Sequence, residues 1–358
     1  MSKLSKNSGN FLRLLVLYLC MLSTSIHAQN DQLKRITPEQ AGFSSEKLAE
    51  LTPYLEKVGS SSLILVSDGR VFFEWGDIYK KQLVHSIRKA LLNSLYGIFT
   101  ERGIIDTSAT LKEIGIDDTE PKLTSLEKGA KVIDLLKSRS GIYHPAAAES
   151  EGMEASRPER GIHRPGEAFY YNNWDFNVLG AILKDKTGRN IYDLFAEEVA
   201  KPLGMIHYKG EYENIDASDA DFEIPEADGF YQYEKNKSMF PAYHFRMSAY
   251  DLALYGILYA NSGNWQGKQI VSKSWIEKST KPYSIMDRNY GIAYGMLWNV
   301  NMNYASYQHT GMGVHMLRIY PDSKMVVVHR VDTENESEFT SDKLYPIFGI
   351  IFGARVPN

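Results

Sequence analysis

The rhythm of apolar and polar positions changes several times along the 358-residue chain. Leu14 to Ser25 is an apolar run behind Lys3, Lys6 and Arg13, too short to span a bilayer as a helix. From Thr37 to about Val58, "TPEQAGFSSEKLAELTPYLEKV" has helical spacing, with Ser44 or Ser45 as the N-cap. "SLILVSDGRVFFEWG" is two β-rich apolar runs around Ser67-Asp68-Gly69, the pattern of a hairpin. Residues 86–102 carry leucine, isoleucine and aromatic side chains on most faces, which predicts a buried helix.

The stretch 104–245 has a different texture: helical patches such as "AKVIDLLKSR", "FNVLGAILKDKTG" and "IYDLFAEEVAKPLG", separated by long loops, with few β-branched runs. "SAYDLALYGILYANSG" predicts a strong helix ending near Gly263, and "SKSWIEKST" another. From Tyr290, "YGIAYGMLWNV", "ASYQHTG", "GVHMLRIY" and "KMVVVHRV" read as strands, and "SDKLYPIFGIIFGA" as a closing helix. No internal repeat appears. Strand-rich ends bracket a helix-rich middle, so the expected fold is α+β. Its antiparallel sheet joins the N-terminal hairpin to the C-terminal strands, helices flank it, and the middle is an insertion. The cleft between the two parts is the expected site.

Composition narrows the class. The chain is 43% hydrophobic and 23% charged, a globular balance, and its net charge of −4 argues against a nucleic-acid surface. The opening segment reads as an export signal, residues 1–28, with cleavage after Ala28, followed by one domain at 29–358. Leu19 before Cys20 is larger than lipidation signals favour, which disfavours a lipid anchor; an uncleaved anchor is the other alternative. Cleavage removes three cations and no acid, taking the net charge to −7, and removes Cys20, the only cysteine. The remaining protein then has no disulfide and no thiolate chemistry, which fits the periplasm or a secreted protein. No stable membrane insertion is expected after cleavage.

Ser-x-x-Lys occurs three times, at Ser44/Lys47, Ser86/Lys89 and Ser125/Lys128. Ser44 is adequately explained as a helix cap, and Ser125/Lys128 lies in a polar segment. Only Ser86/Lys89 runs into a helix that must be buried. Three residues apart on a helix, the two side chains share a face. Desolvation would make the lysine a neutral base, and the helix N-terminus would offer N–H groups to an oxyanion. A capping serine with a snorkelling lysine is the competing reading, and these residues alone leave both open. "GEAFYYNNWDFNVLG" holds Tyr-x-Asn in two registers, Tyr170/Asn172 and Tyr171/Asn173, where a tyrosine could shuttle a proton or simply pack. "QHTGMG" lets backbone approach a substrate closely at Gly311. Lys186-Thr187-Gly188 is a decoy, with Gly188 a natural helix C-cap.

These three elements, in this order, resemble the serine β-lactamase and penicillin-binding-protein superfamily, specifically the class C β-lactamase-like serine hydrolases. The similarity extends from "TPEQAGFSSEKL" to the C-terminal strands. The family's Tyr-x-Asn, then an aromatic, then Leu-Gly, matches from Tyr171, which selects Tyr171 and Asn173. The resemblance implies acyl transfer. Ser86 attacks a carbonyl while Lys89 and Tyr171 take its proton, and the N–H groups of Ser86 and Met312 form the oxyanion hole. Asn173 orients substrate and Lys89, and His309, Thr310 and Gly311 line the substrate side. It implies no metal or organic cofactor. His309 stands where lysine is usual, which removes a fixed positive charge and points to esterase- and amidase-like relatives rather than β-lactams or peptides with a free carboxylate. A D-amino-acid peptidase or β-lactamase is the runner-up, and a non-catalytic binding or sensor protein the reading from another class. The expected partner is a small molecule or short peptide. His144, His163 and His244 are expected in loops. Segments 146–167 and 211–237 are expected to rim the cleft, the second being acidic. Nothing in the sequence specifies an oligomeric state.

Overall fold

The computed structural model describes residues 32–218, 222–335 and 339–357; the leader with Cys20 lies outside them. Among the described residues the main sheet has nine strands. Its centre joins the chain ends as expected: Ser62–Ser67 pairs antiparallel with Met325–Arg330, Leu65 opposite Val327. Arg70–Gly76 closes the hairpin on one side through a turn with positive φ at Asp68 and Gly69, the geometry a two-residue Asp-Gly turn supplies. On the other side Met316–Tyr320, Ser306–Thr310, Asn299–Asn301, Ile292–Tyr294 and Ser284–Asp287 follow as an antiparallel meander. The sheet is mixed rather than wholly antiparallel, because Lys34–Arg35 adds a parallel edge against Arg70–Gly76.

The central strands are covered on both faces, which is why "LILV" and "MVVV" are continuous apolar runs. Ile64, Val66, Val326 and Val328 face one core, packed on the helix Ala249–Ala260. Leu63, Leu65, Met325 and Val327 face the other, closed by Leu51 and Leu55 of Leu51–Val58 and by Ile347 and Ile351 of Leu344–Gly353.

Two sequence expectations need correction. The helix expected over 37–58 is broken into a 3-10 turn, a short helix Ser45–Leu48 and the helix Leu51–Val58. Pro53 has no N–H to give to the carbonyl four residues back, so the helix cannot run through Ala49. The helix-rich middle also contains a second sheet, in the order Gln82–Leu83, Ala242–Met247, Gly229–Tyr233, Tyr212–Asp216. Segment 211–237 supplies two of its strands. Tyr212–Asp216 pairs parallel with Gly229–Tyr233, and Asp228 is buried, taking the N–H groups of Lys209 (2.7 Å) and Gly210 (2.9 Å) and the ammonium of Lys81 (2.7 Å). These strands are aromatic rather than β-branched, and periodicity alone missed them.

Candidate active site

The chain leaves Gln82–Leu83, turns through a 3-10 segment, His85–Ile87, and enters the helix Arg88–Glu101. Ser86 stands at the helix N-terminus and Lys89 one turn on. Lys89 Nζ lies 3.0 Å from Ser86 Oγ. The lysine side chain is buried, and desolvation, aided by the nearby Arg88 charge, pulls its amine well below the ordinary lysine range. The faces of the Tyr171 and Phe176 rings, each 4.7 Å from Nζ, offer an ammonium only partial compensation.

Tyr171 completes the group. Burial pushes its phenol pKa up to about 12, although the neighbouring Ser86 hydroxyl and the Arg88 charge both act to lower it. Phe176 and Tyr294 hold the ring, at 5.0 and 5.9 Å between centroids. The structure separates the two Tyr-x-Asn registers. Tyr170 donates to the Met153 carbonyl at 2.7 Å and packs edge-on against Tyr143. Asn172 is spent on structure: it caps the helix Asn173–Thr187 through the Trp174 N–H and donates to Ile142 O at 2.6 Å. Asn173 donates to Ala148 O at 2.5 Å, while its buried Oδ1 has no protein partner. Ala148 belongs to the 146–167 segment, which thus adjoins the site.

The strand Ser306–Thr310 brings His309, Thr310 and Gly311 beside the 3-10 segment that carries Ser86. His309 is buried, neither ring nitrogen has a partner, and burial lowers its pKa to about 3. It is a neutral imidazole across the physiological range. Gly311 is also required by the chain's own packing. A Cβ there would come within 2.7 Å of Val84 O and 3.0 Å of His85 Cβ, so the close approach is to the chain's own nucleophile segment. Met312 opens the turn Met312–Val314 with its side chain exposed.

Sequence reasoning missed several neighbours. Arg88, one of the unspecified positions in Ser-x-x-Lys, is buried, donates to Tyr243 O at 2.6 Å and lies 4.5 Å from the Tyr243 ring centre. His315, His329 and Arg330 were visible only as polar interruptions in apolar strands. His144 and His163 lie in loops as expected, bonded to Pro145 O and the Tyr143 hydroxyl. His244 instead lies on the strand Ala242–Met247, stacked 4.5 Å from Phe230. Gly188 is the left-handed C-cap of Asn173–Thr187, which disposes of the Lys-Thr-Gly decoy. Among the described residues no cluster of metal-ligating side chains occurs, and no helix is long and apolar enough to cross a membrane.

The β-lactamase family profile matches residues 81–345, and the chain belongs to that family of serine hydrolases. A putative D-alanyl-D-alanine carboxypeptidase of Escherichia coli is 22% identical over 235 residues, 54% of this chain and 54% of that protein. The chain thus matches about half the length of such relatives. A putative 6-aminohexanoate-dimer hydrolase from Bacillus anthracis superposes with a TM-score of 0.65 at 18% identity, covering 92% of this chain and 90% of that one. EstCE1, a hydrolase with promiscuous acyltransferase activity, superposes with a TM-score of 0.59 at 14% identity, covering 87% and 98%. At these identities the superpositions establish the β-lactamase and penicillin-binding-protein fold.

Proposed function

We propose that this is an exported hydrolase that cleaves an ester or amide through an acyl-enzyme on Ser86. The observation that carries the reading is the 3.0 Å approach of Lys89 Nζ to Ser86 Oγ where burial disfavours the ammonium. A neutral amine beside a neutral phenol makes Lys89 the resting base and Tyr171 the resting acid. Ser86 Oγ bonds to the carbonyl carbon as its proton passes to Lys89. The oxyanion is held by the N–H groups of Ser86 and Met312. Tyr171 passes a proton to the departing alkoxide or amine as the bond to it breaks. Lys89 returns its proton to the Tyr171 phenolate, then takes the proton of the attacking water and gives it to Ser86 Oγ as the acyl bond breaks and the acid leaves. Asn173, through its unpartnered Oδ1, would orient the substrate N–H or Lys89. Export rests on the basic and apolar segments of residues 1–28.

A neutral, buried His309 supports uncharged esters or amides over substrates that need a cation at this position. Removal of a D-amino acid from a cell-wall-type peptide is the second reading, favoured by the relatives named as carboxypeptidases. The test is turnover of a p-nitrophenyl ester by residues 29–358, beside Ser86→Ala. Ser86-dependent hydrolysis supports the proposal; equal activity in both proteins overturns it. If neither turns over, release of D-alanine from a D-alanyl-D-alanine peptide decides for the second reading.

A further inference from the structure

Two short segments have to be held in fixed relation for this chemistry: His85–Ile87, which carries Ser86, and the turn Met312–Val314. They are joined through one hydroxyl. Thr333 Oγ1 lies 2.8 Å from His85 Nε2 and 3.1 Å from His315 Nε2. The two rings are 5.2 Å apart, His85 preceding the serine and His315 following the turn.

The direction of this chain of bonds follows from its far end. Arg330 donates Nε–H to His315 Nδ1 at 3.0 Å. A guanidinium has no acceptor, so His315 Nδ1 must hold the lone pair and Nε2 the hydrogen. His315 Nε2–H therefore donates to Thr333 Oγ1, and the same hydroxyl completes the link to His85 Nε2. Arg330 is itself immobilised, wholly buried, with its other nitrogens on Met247 O (2.7 Å), Gln82 O (2.9 Å) and Leu83 O (3.1 Å). The relay ends on a strained residue. His85 has φ 47°, in the left-handed region that a non-glycine side chain occupies at some energetic expense. The packing around the relay leaves no slack. A Cβ at Gly311 would crowd Val84 O and His85 Cβ, and one at Gly313 would run into Thr333 Cγ2.

We infer that Thr333 is a positioning residue: its hydroxyl clasps the nucleophile segment to the Met312 turn and sets the spacing of the two oxyanion donors. The inference rests on the Ser86 acyl-enzyme reading. Neither histidine reaches Ser86, so the effect is transmitted through the backbone that His85 and His315 occupy.

The experiment is the kinetics of Ser86 labelling by an alkyl fluorophosphonate, followed by intact mass. Oγ bonds to phosphorus, fluoride leaves, and the serine proton passes to Lys89. Thr333→Val keeps the methyl and removes the hydroxyl; Thr333→Ser does the reverse. The limiting labelling rate of Thr333→Val should fall about 10- to 100-fold, the scale of a misplaced oxyanion donor, with the reagent's half-saturation little changed. Thr333→Ser should stay within about threefold of wild type. His85→Asn tolerates positive φ but is too short to reach Thr333, and should reproduce the loss even if Thr333→Val does not fold. Wild-type rates in Thr333→Val and His85→Asn, or equal losses in the Val and Ser variants, overturn the clasp. Failure of the wild type to be labelled at Ser86 would instead overturn the nucleophile assignment, and this inference with it.

Discussion

The same tetrapeptide spacing has three fates in this molecule, and the contrast shows what converts a motif into a site. At Ser44/Lys47 the serine accepts the Lys47 N–H at 3.3 Å as an ordinary cap. The lysine there remains at the surface, donating to Gly353 O at 3.2 Å. At Ser125/Lys128 the lysine is paired with Asp117 at 2.7 Å. At Ser86/Lys89 the helix is buried, no acid is among the charges acting on the lysine, and aromatic faces surround its amine. The sequence spacing is identical. The difference is dielectric: in water an ammonium is solvated and inert as a base, whereas in the core the neutral amine is favoured.

The contrast breaks most sharply by exchange of the serines. Ser86→Ala should lower ester kcat by more than about 10³-fold. Ser44→Ala should leave kcat unchanged, so a loss at Ser44 would refute the distinction. Next comes Lys89→Met, expected to remove about 10²- to 10⁴-fold of kcat, the range for a general base. Because a lysine held below its ordinary pKa lowers folded stability at neutral pH, Lys89→Met should also raise Tm. Lys47→Met should do neither, and calorimetry beside kinetics would separate them. The pH profile sharpens the assignment of roles. With Lys89 as base, kcat/KM should fall as pH drops and Lys89 is protonated, with an apparent pKa well below 10.5. A limb still rising above pH 10 would assign an ammonium at rest. Tyr171→Phe should cost about 10- to 100-fold, more strongly for substrates with poor leaving groups, since the phenol supplies their proton.

Stability should follow the buried histidines. His85 and His329 are held at about 4 and His309 at about 3 by burial. The unfolded chain, with ordinary histidine values near 6.5, binds more protons in this window. The contribution of these histidines is therefore full above about pH 6.5, declines as pH falls toward 4, and stops changing below about 3. His329→Gln should flatten that decline in Tm; an unchanged slope would exclude His329 as a contributor. The smallest expected effect is the stability loss in Ser44→Ala, about 1 kcal/mol by urea unfolding, the usual worth of such a cap.

Much of this architecture was legible in advance where local physics is decisive. Asp68-Gly69 specified the hairpin, the continuous apolar runs specified strands buried on both faces, and Gly188 closed its helix. The Tyr-x-Asn pair was legible only as two registers from the residues, with Tyr171 and Asn173 selected by family resemblance. The structure adds the reason: Asn172 is consumed in capping, whereas Asn173 keeps a free acceptor. The small aromatic sheet at 212–247 was missed because its strands are defined by partners distant in sequence rather than by a period-2 pattern. His85, His315, Thr333 and Arg330 gave no local sign of belonging together.

The sequence by itself therefore determined the elements, the candidate nucleophile and base, and the family they resemble, because caps, turns and apolar period act over a few residues. Only the tertiary structure decided which aromatic faces enclose the Lys89 amine, that Gly311 is needed for the chain's own backbone, and that one threonine joins the two halves of the site. Burial and hydrogen-bond direction are properties of three-dimensional neighbours, and those neighbours here lie up to about 250 positions apart, as His85 and Thr333 do.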